Sequence, residues 1–438
     1  MFKQDTVSTT AVSKVYADML QDFCEIKINN NIELSESQKS AYDTFVKGKN
    51  VLVIGKAGVG KSVLIKYIKD NTSKTVYVTA TTGVAAYNIG GMTIHSYMGF
   101  GTGEADIDTL YMKMGKVKNT FDRILNTDIL IIDEISMMSA EFFEKVHCLC
   151  CRVRNNGELF GGIQLILTGD FNQLQPVFNF KDKDRRLLIE SELFISQFRK
   201  GDNIVELKTN FRQKNDPIYS DILNNIRHGF VTEEQKVILQ ERLKHKPDSN
   251  IIKLVPTNNL AKQFNEIELN KIKSQKFIFK PTYTPKNISS YNLLKLELTK
   301  QFMTKGLEYL EVKSGARVML VKNLSVDDGL INGALGTVLE IKNNEVKVKF
   351  DSGLTKIITK TTWEIQDSFT KDVLTAKQFP LILAYGITIH KSQSLSLEKA
   401  NVYLEKCFCE NQIYVALSRV KTLDGLYINY FCEDEIKR

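Results

Sequence analysis

Short apolar runs alternate with stretches of helical period along most of the chain. Residues 35–47 carry a helical pattern with Ser35 as its N-cap. The apolar runs at 51–54, 75–79, 129–132, 164–167 and 204–207 read as strands, and strands alternating with helices predict βαβ units around a parallel sheet covered on both faces. A second set follows: a strand at 251–255, a helix through Lys262 and Glu268, and strands at 381–384, 401–404 and 426–430. From Glu311 to about Val373 the character changes to short strands and turns, at 317–321, 336–341, 345–350 and 355–358, with tight turns at Asn332-Gly333 and Asn343-Asn344. The expected plan is α/β. A lead-in at 1–33 precedes a first α/β domain at 34–205. A second domain is built from 206–310 and 374–438, and a small antiparallel β module at 311–373 is inserted into it.

Composition adds little to this plan but narrows the class. With 438 residues, 43% of them hydrophobic, the chain can bury more than one core. The formal net charge of +8 suits a nucleic-acid partner without requiring one. No apolar run reaches membrane-spanning length, so no membrane role is expected. The first residues lack a secretory signal, and Asp5, Asp18 and Asp22 argue against a mitochondrial transit peptide. An intracellular location, nucleus or cytoplasm, is the expectation. The cysteine count of seven is odd, and a chain of this length needs no disulfide staples. Cys148, Cys150 and Cys151 cluster, as do Cys407 and Cys409. Phe142, Val146, Leu149 and Val153 share a helix face with the first cluster, so buried thiols are expected there rather than zinc ligands.

The candidate chemistry starts at Gly55-Lys56-Ala57-Gly58-Val59-Gly60-Lys61-Ser62, which fits the phosphate-binding loop G-x-x-x-x-G-K-[ST] between a strand and a helix. Glycines let backbone N–H groups close around phosphate oxygens, and the helix N-terminus adds partial positive charge. Lys61 is expected on the β/γ-phosphates of ATP and Ser62 on Mg²⁺. The second half of such a site is an acid at the end of a neighbouring strand. Asp128-Ile129-Leu130-Ile131-Ile132-Asp133-Glu134 supplies it, with Asp133 for the metal and Glu134 to activate water.

These motifs alone define an NTPase; later segments point to a motor. Gln173, in Thr168-Gly169-Asp170-Phe171-Asn172-Gln173, follows another buried strand and is placed to sense the γ-phosphate. Arg212, in Thr209-Asn210-Phe211-Arg212, lies just past a strand end. Arg419, in Tyr414-Val415-Ala416-Leu417-Ser418-Arg419, sits on a helix of the second domain. A guanidinium offers a planar fork of donors to developing phosphate charge. Arginines from a second domain complete a site only when the domains close.

The whole set resembles the Pif-type 5′→3′ DNA helicases of superfamily 1, over about residues 34–430. The segment from Thr79 through Gly83-Val84-Ala85-Ala86 to Ile94-His95-Ser96 resembles the family's first DNA-contacting stretch. Lys145 through Arg154 to Phe160-Gly161-Gly162-Ile163-Gln164-Leu165 resembles its signature. Gly386-Ile387-Thr388-Ile389-His390-Lys391-Ser392-Gln393 resembles the late DNA motif, and 412–421 the last motif. Gln38 resembles the glutamine that reads adenine. Departures are Gln175, where members often carry proline, and Lys56, where a small or polar residue is more usual.

The resemblance implies two RecA-like parallel-sheet domains, a strand-separating wedge at about 97–122, and a small β-barrel at 311–373 that closes over DNA. ATP and Mg²⁺ are the implied cofactors, and Gln38, Gly55, Ala57, Gly58, Val59, Gly60, Lys61 and Ser62 the implied nucleotide-binding residues. Thr82, Thr93 and His95 in the first domain, with Thr388, His390 and Lys391 in the second, are expected to hold phosphates of the strand. Tyr97, Phe100 and Phe171 are expected as stacking or wedge residues. Single-stranded and forked DNA are the expected partners of a monomer, with replication or repair proteins beside them. The alternatives are an RNA-directed helicase or NTPase, which tolerance of the 2′-OH would reveal, and a nucleotide-switched binding protein that does not unwind.

Overall fold

The computed structural model describes residues 33–438 apart from 102, 118, 177, 179–182, 199–202, 248–250, 286–290, 323, 326–327, 329, 331–332, 343, 367–372, 394, 409–410 and 437–438. The expected lead-in therefore lies, but for Glu33, outside the described residues, as do Asn332, Asn343 and Cys409.

The first domain is built on strands β1 (Val51–Ile54), β2 (Val76–Ala80), β3 (Met92–Thr93), β4 (Ile129–Asp133), β5 (Gln164–Gly169) and β6 (Ile204–Glu206), in the order β3–β2–β4–β5–β1–β6. All neighbours pair in parallel. Every residue of β4 and β5 is buried, as central strands with both faces covered require. Alternation sorts their side chains between two cores. Leu130, Ile132, Leu165 and Leu167 join Leu52 on one face. Ile129, Ile131 and Ile166 join Val51 and Val53 on the other. Strand β3, only Met92–Thr93, gave too short a run to be expected from sequence.

The parallel sheet of the second domain has the order Gly386–Thr388, Lys253–Val255, Ala400–Val402, Leu426–Ile428. The run at 381–384, expected in that sheet, belongs elsewhere. Leu381–Leu383 pairs antiparallel with Arg317–Leu320. The reason is that this strand borders two cores. Leu381 packs with Phe379 and Val318, whereas Ile382 and Ala384 face the core of the parallel sheet. Apolar character on both sides therefore does not say which sheet owns the strand. Its place among the parallel strands is taken by Gly386–Thr388, inside the stretch read for chemistry.

The antiparallel region extends beyond the expected 311–373. It begins with Lys276–Phe279, paired to Leu310–Lys313, and includes Thr282–Pro285 against Val373–Gln378. The missed signal is the alternation of Phe277 and Phe279 with Lys276 and Ile278. Asn344 takes the left-handed φ of 61° in the turn between Leu335–Lys342 and Glu345–Phe350.

Two other expectations change. Tyr97 and Phe100 are 0% and 3% exposed, in the core of the first domain, so neither is a stacking or wedge residue. The Tyr97 hydroxyl is satisfied by Thr127 at 2.8 Å. Helices Ile107–Lys116 and Thr120–Leu125 occupy the span read as a wedge, and they bury Leu110, Met114 and Ile124 in the same core. Of the clustered cysteines, Cys150 is buried, Cys151 half-buried and Cys148 exposed. The helix Ala140–Arg154 turns Cys148 away from the face that buries Val146 and Leu149. Within the signature stretch the helix ends in Arg154, which donates to the carbonyls of Ile124, Leu125, Thr127 and Gly161 at 2.7–2.9 Å and so ties that helix to the neighbouring loops.

Candidate nucleotide site and strand interface

The chain leaves β1 at Gly55 and enters helix Lys61–Asp70 through a loop that needs glycine. Gly58 and Gly60 have φ of 84° and 83°. A Cβ on Gly58 would collide with Arg212, and one on Gly60 would lie 2.6 Å from Gln38 Nε2. The Lys61 ammonium folds over the loop, donating to the carbonyls of Gly55 at 2.6 Å and Lys56 at 3.2 Å. Gln38 is buried behind the loop. Its Oε1 accepts from the Ser35 N–H at 2.9 Å and its Nε2 donates to the Gly60 carbonyl at 3.0 Å, so it both caps its helix and braces the loop.

β5 lies between β1 and β4, and its Thr168 hydroxyl donates to Asp133 at the end of β4. Asp133 Oδ1 also accepts from the Glu134 N–H at 2.9 Å. Burial, and then the neighbouring charge of Glu134, push the Asp133 carboxyl up to about 6. Glu134 has a left-handed φ of 55°, uncommon for a residue with a side chain. Gln393, from the second domain, donates to Glu134 Oε2 at 3.5 Å and to Gln173 Oε1 at 3.4 Å. It joins the acid to the sensor, a role that sequence reading did not assign.

A cleft of about 390 Å³ between the domains is lined by Ala57 to Val63, Asp133, Glu134, Gln173, Phe211, Arg212 and Arg419. Arg212 donates to the Ser418 carbonyl at 3.0 Å. Arg419, 1% exposed, donates to the Val415 carbonyl at 2.9 Å and to Ser418 Oγ at 2.7 Å. Burial and then the charge of Arg419 pull the Arg212 guanidinium down to about 10. Burial lowers Arg419 as well. Among the described residues neither arginine makes a salt bridge. Two buried cations side by side are costly unless an anion joins them. The glycine cradle, Lys61 and this pair therefore fit a polyphosphate, and Ser62 with Asp133 fits its Mg²⁺.

A second missed feature ties the domains together. The carboxylate of Asp170, fully buried after β5, takes a salt bridge from Arg227 at 2.9 Å and a hydrogen bond from the Tyr414 hydroxyl at 3.3 Å. The same hydroxyl accepts from the Ala57 N–H of the phosphate loop at 3.2 Å. Tyr414 was seen in the sequence only as part of the motif around Arg419.

The residues expected to hold a strand occupy comparable positions in the two domains. Thr93 caps helix Ile94–Met98 by accepting from the Ser96 N–H at 3.1 Å. Thr388 caps Ile389–Ser392 by accepting from the Lys391 N–H at 3.3 Å. In each case an isoleucine that is 0% exposed follows, and then the histidine. His95 stacks on Phe142 at 4.5 Å and His390 on Phe408 at 6.0 Å. Thr82 accepts from the Ala85 N–H at 3.2 Å ahead of helix Gly83–Asn88. Burial lowers both His390 and Lys391. Thr388 and Lys391 line a cavity of about 360 Å³ that Lys262, Asn258, Met303 and Tyr309 also border. Phe171 is half-buried, edge-on to Phe194 at 6.1 Å.

Fold and site together define a P-loop protein with a nucleotide cleft between two parallel-sheet domains. The family model described as PIF1-like helicase matches residues 33–237, and that described as DNA helicase Pif1, 2B domain, matches residues 300–341. The ATP-dependent DNA helicase Pif1 of Bdellovibrio bacteriovorus is 33% identical over 401 residues, covering 91% of this chain and 88% of the relative. The crystal structure of Pif1 helicase from Candida albicans superposes with a TM-score of 0.81 at 32% identity, covering 92% of this chain and 97% of that one. The Bacteroides Pif1 helicase in complex with ADP-AlF3 and single-stranded DNA superposes with a TM-score of 0.73 at 29% identity, covering 93% and 94%. This chain belongs to the PIF1-like helicase family. It spans 63% of the length of the Xenopus laevis relative, to which it is 33% identical over 410 residues and which covers 93% of this chain.

Proposed function

We propose that the chain is an ATP-dependent DNA helicase that moves 5′→3′ along single-stranded DNA and opens duplex ahead of it. The observation that carries this reading is the pair of buried guanidiniums, Arg212 and Arg419, which share one cleft with the phosphate loop and the acid pair Asp133–Glu134. Such a cleft responds to whether a γ-phosphate is present, because its charge adds to that of Glu134 in offsetting the two buried cations. The Bacteroides relative with ADP-AlF3 and single-stranded DNA supports the same pairing of ligands here.

Bound Mg²⁺ would supply charge that neutralises the phosphates, held by Ser62 and by Asp133. Lys61 leaves its carbonyl partners for the β/γ-phosphates. Glu134 orients the attacking water and takes its proton. Arg212 and Arg419 place their forks on the charge that develops. Gln38, behind the loop, is the proposed reader of the adenine. When the phosphate leaves, Gln173 loses its partner, and Gln393 carries that change to Thr388, His390 and Lys391, within a few residues of it. The grip of the second domain on the strand then changes relative to that of Thr82, Thr93 and His95 in the first. Alternating grip moves the chain along DNA.

The proposed substrates are single-stranded and forked DNA, in replication, repair or recombination, with the chain acting as a monomer inside the cell. Among the described residues no helix is long and apolar enough to cross a membrane. The test is ATP-dependent opening of a forked duplex, with Lys61→Ala as control. Opening by the unaltered chain and none by Lys61→Ala is expected. ATP hydrolysis without any opening would leave only a nucleotide-switched binder.

A further inference from the structure

Helix Tyr291–Lys305 stops at Gly306, whose left-handed φ of 74° turns the chain so that the Leu307 N–H donates to the Phe302 carbonyl at 2.8 Å. Leu307 then enters the core of the parallel sheet, and Leu310 enters the core of the antiparallel module. The Leu307 carbonyl accepts from the buried amide of Gln378 at 3.2 Å. Glu308 and Tyr309 are the two residues held between these anchors. Both line the cavity of about 360 Å³ that Thr388 and Lys391 also border. Glu308 Oε2 is shut off from solvent there, yet no group among the described residues donates to it.

The polar side chains around it are turned elsewhere. Asn265 commits its amide to the backbone of Tyr385 and Gly386, at 2.9 Å in each bond. Lys262 lies over the Tyr309 ring at 6.0 Å. Burial lowers Lys391 and the Glu308 charge opposes that, but the two do not pair. A buried carboxylate oxygen without a donor is costly, and a ligand that brings one N–H relieves it. A phosphate there does the reverse, because it carries the same charge and only accepts. The cavity therefore suits a ligand with an anion for Lys391 and a donor for Glu308. One nucleotide of a DNA strand has both. Its phosphate is the anion, its deoxyribose offers no donor within the chain, and each of the four bases carries an N–H on its pairing edge. The cavity volume accommodates a nucleotide.

We propose that Glu308 accepts a hydrogen bond from the pairing edge of one base, while Thr388 and Lys391 hold a phosphate of the same strand. This rests on the reading that the strand passes Thr388 and Lys391. The contact tolerates sequence, since every base has such a donor. It does not tolerate pairing, because in a duplex that donor is already engaged. Glu308 thus lets the second domain grip only a base that has been separated from its partner.

The test is a scan of a single-stranded oligonucleotide in which one deoxyadenosine at a time is replaced by purine deoxyribonucleoside, which keeps the ring and lacks the amine. Affinity is measured with the unaltered chain, Glu308→Ala and Glu308→Gln. With the unaltered chain, one position should lose about tenfold in affinity when its amine is absent. Glu308→Ala should lose that penalty at that position only. Glu308→Gln keeps an acceptor oxygen but no charge, so its penalty should shrink to about threefold at the same position. The glutamine variant preserves the shape of the side chain and decides the matter if the alanine variant misfolds. A flat profile with the unaltered chain, or a tenfold penalty that persists in the variants, overturns the contact. Absence of single-strand binding by the unaltered chain would instead overturn the helicase reading beneath it.

Discussion

The Tyr414 hydroxyl, on the second domain, lies 3.2 Å from the Ala57 amide nitrogen of the phosphate loop on the first. Its other partner there is Asp170, at 3.3 Å, which Arg227 of the second domain also engages. The loop that binds phosphate and the helix Gln412–Leu417, which ends just ahead of Arg419, are thus joined before any nucleotide arrives. Tyr414→Phe leaves a buried N–H and a buried carboxylate each short of one partner, at a cost of about 1–3 kcal/mol. The nucleotide-free variant should populate more open arrangements, seen as lower energy transfer between dyes on the two domains. A distance distribution equal to that of the unaltered chain would show that this contact does not hold the domains.

Lys61→Ala removes the charge meant for the β/γ-phosphates, and DNA-stimulated hydrolysis should vanish. Glu134→Gln should still bind ATP, by titration with a fluorescent analogue, while turnover falls by about 10²–10⁴-fold. Normal turnover in either variant would move the reaction away from this cleft.

Asp133 gives a pH-dependent outcome. Its carboxyl ionises at about 6 in the folded chain against an ordinary 3.8. A raised value means that the folded state holds the proton more tightly, so the group's stabilising contribution is full below 3.8 and is lost as pH rises through about 6. Asp133→Asn stays neutral and keeps an acceptor for Thr168. In the nucleotide-free chain it should raise stability, and the gain at pH 8 should exceed that at pH 5 by on the order of 1–2 kcal/mol. Denaturant titration at both values checks this. An equal effect at both would mean that Asp133 is not desolvated as the structure has it.

Much of the nucleotide site was legible because its parts are contiguous: Gly55–Ser62 and Asp133-Glu134 each sit at the end of a strand that announces itself by apolar residues. The domain-bridging groups were not, since Gln393 meets Gln173 across 220 positions and Tyr414 meets Asp170 across 244. Tyr97 and Phe100 misled for another reason. An aromatic residue beside a DNA motif has the same composition whether it faces the strand or the core, and only packing distinguishes the two. Leu381–Leu383 misled because a strand shared by two cores is apolar on both faces.

Lys391, partly desolvated beside Thr388, is proposed to neutralise one phosphate of the strand. A plot of log affinity against log salt for single-stranded DNA should therefore be steep, and Lys391→Ala should make it shallower by about 0.7. An unchanged slope would place Lys391 off the strand.

The most direct measurement is unwinding of two duplexes, one with only a 5′ single-stranded tail and one with only a 3′ tail, each with ATP and Mg²⁺. For a chain that grips the strand alternately with its two domains and advances toward the 3′ end, the 5′-tailed duplex should open and the 3′-tailed one should not. Efficient opening from the 3′ tail alone would contradict the proposed direction, and opening of neither would contradict the motor itself.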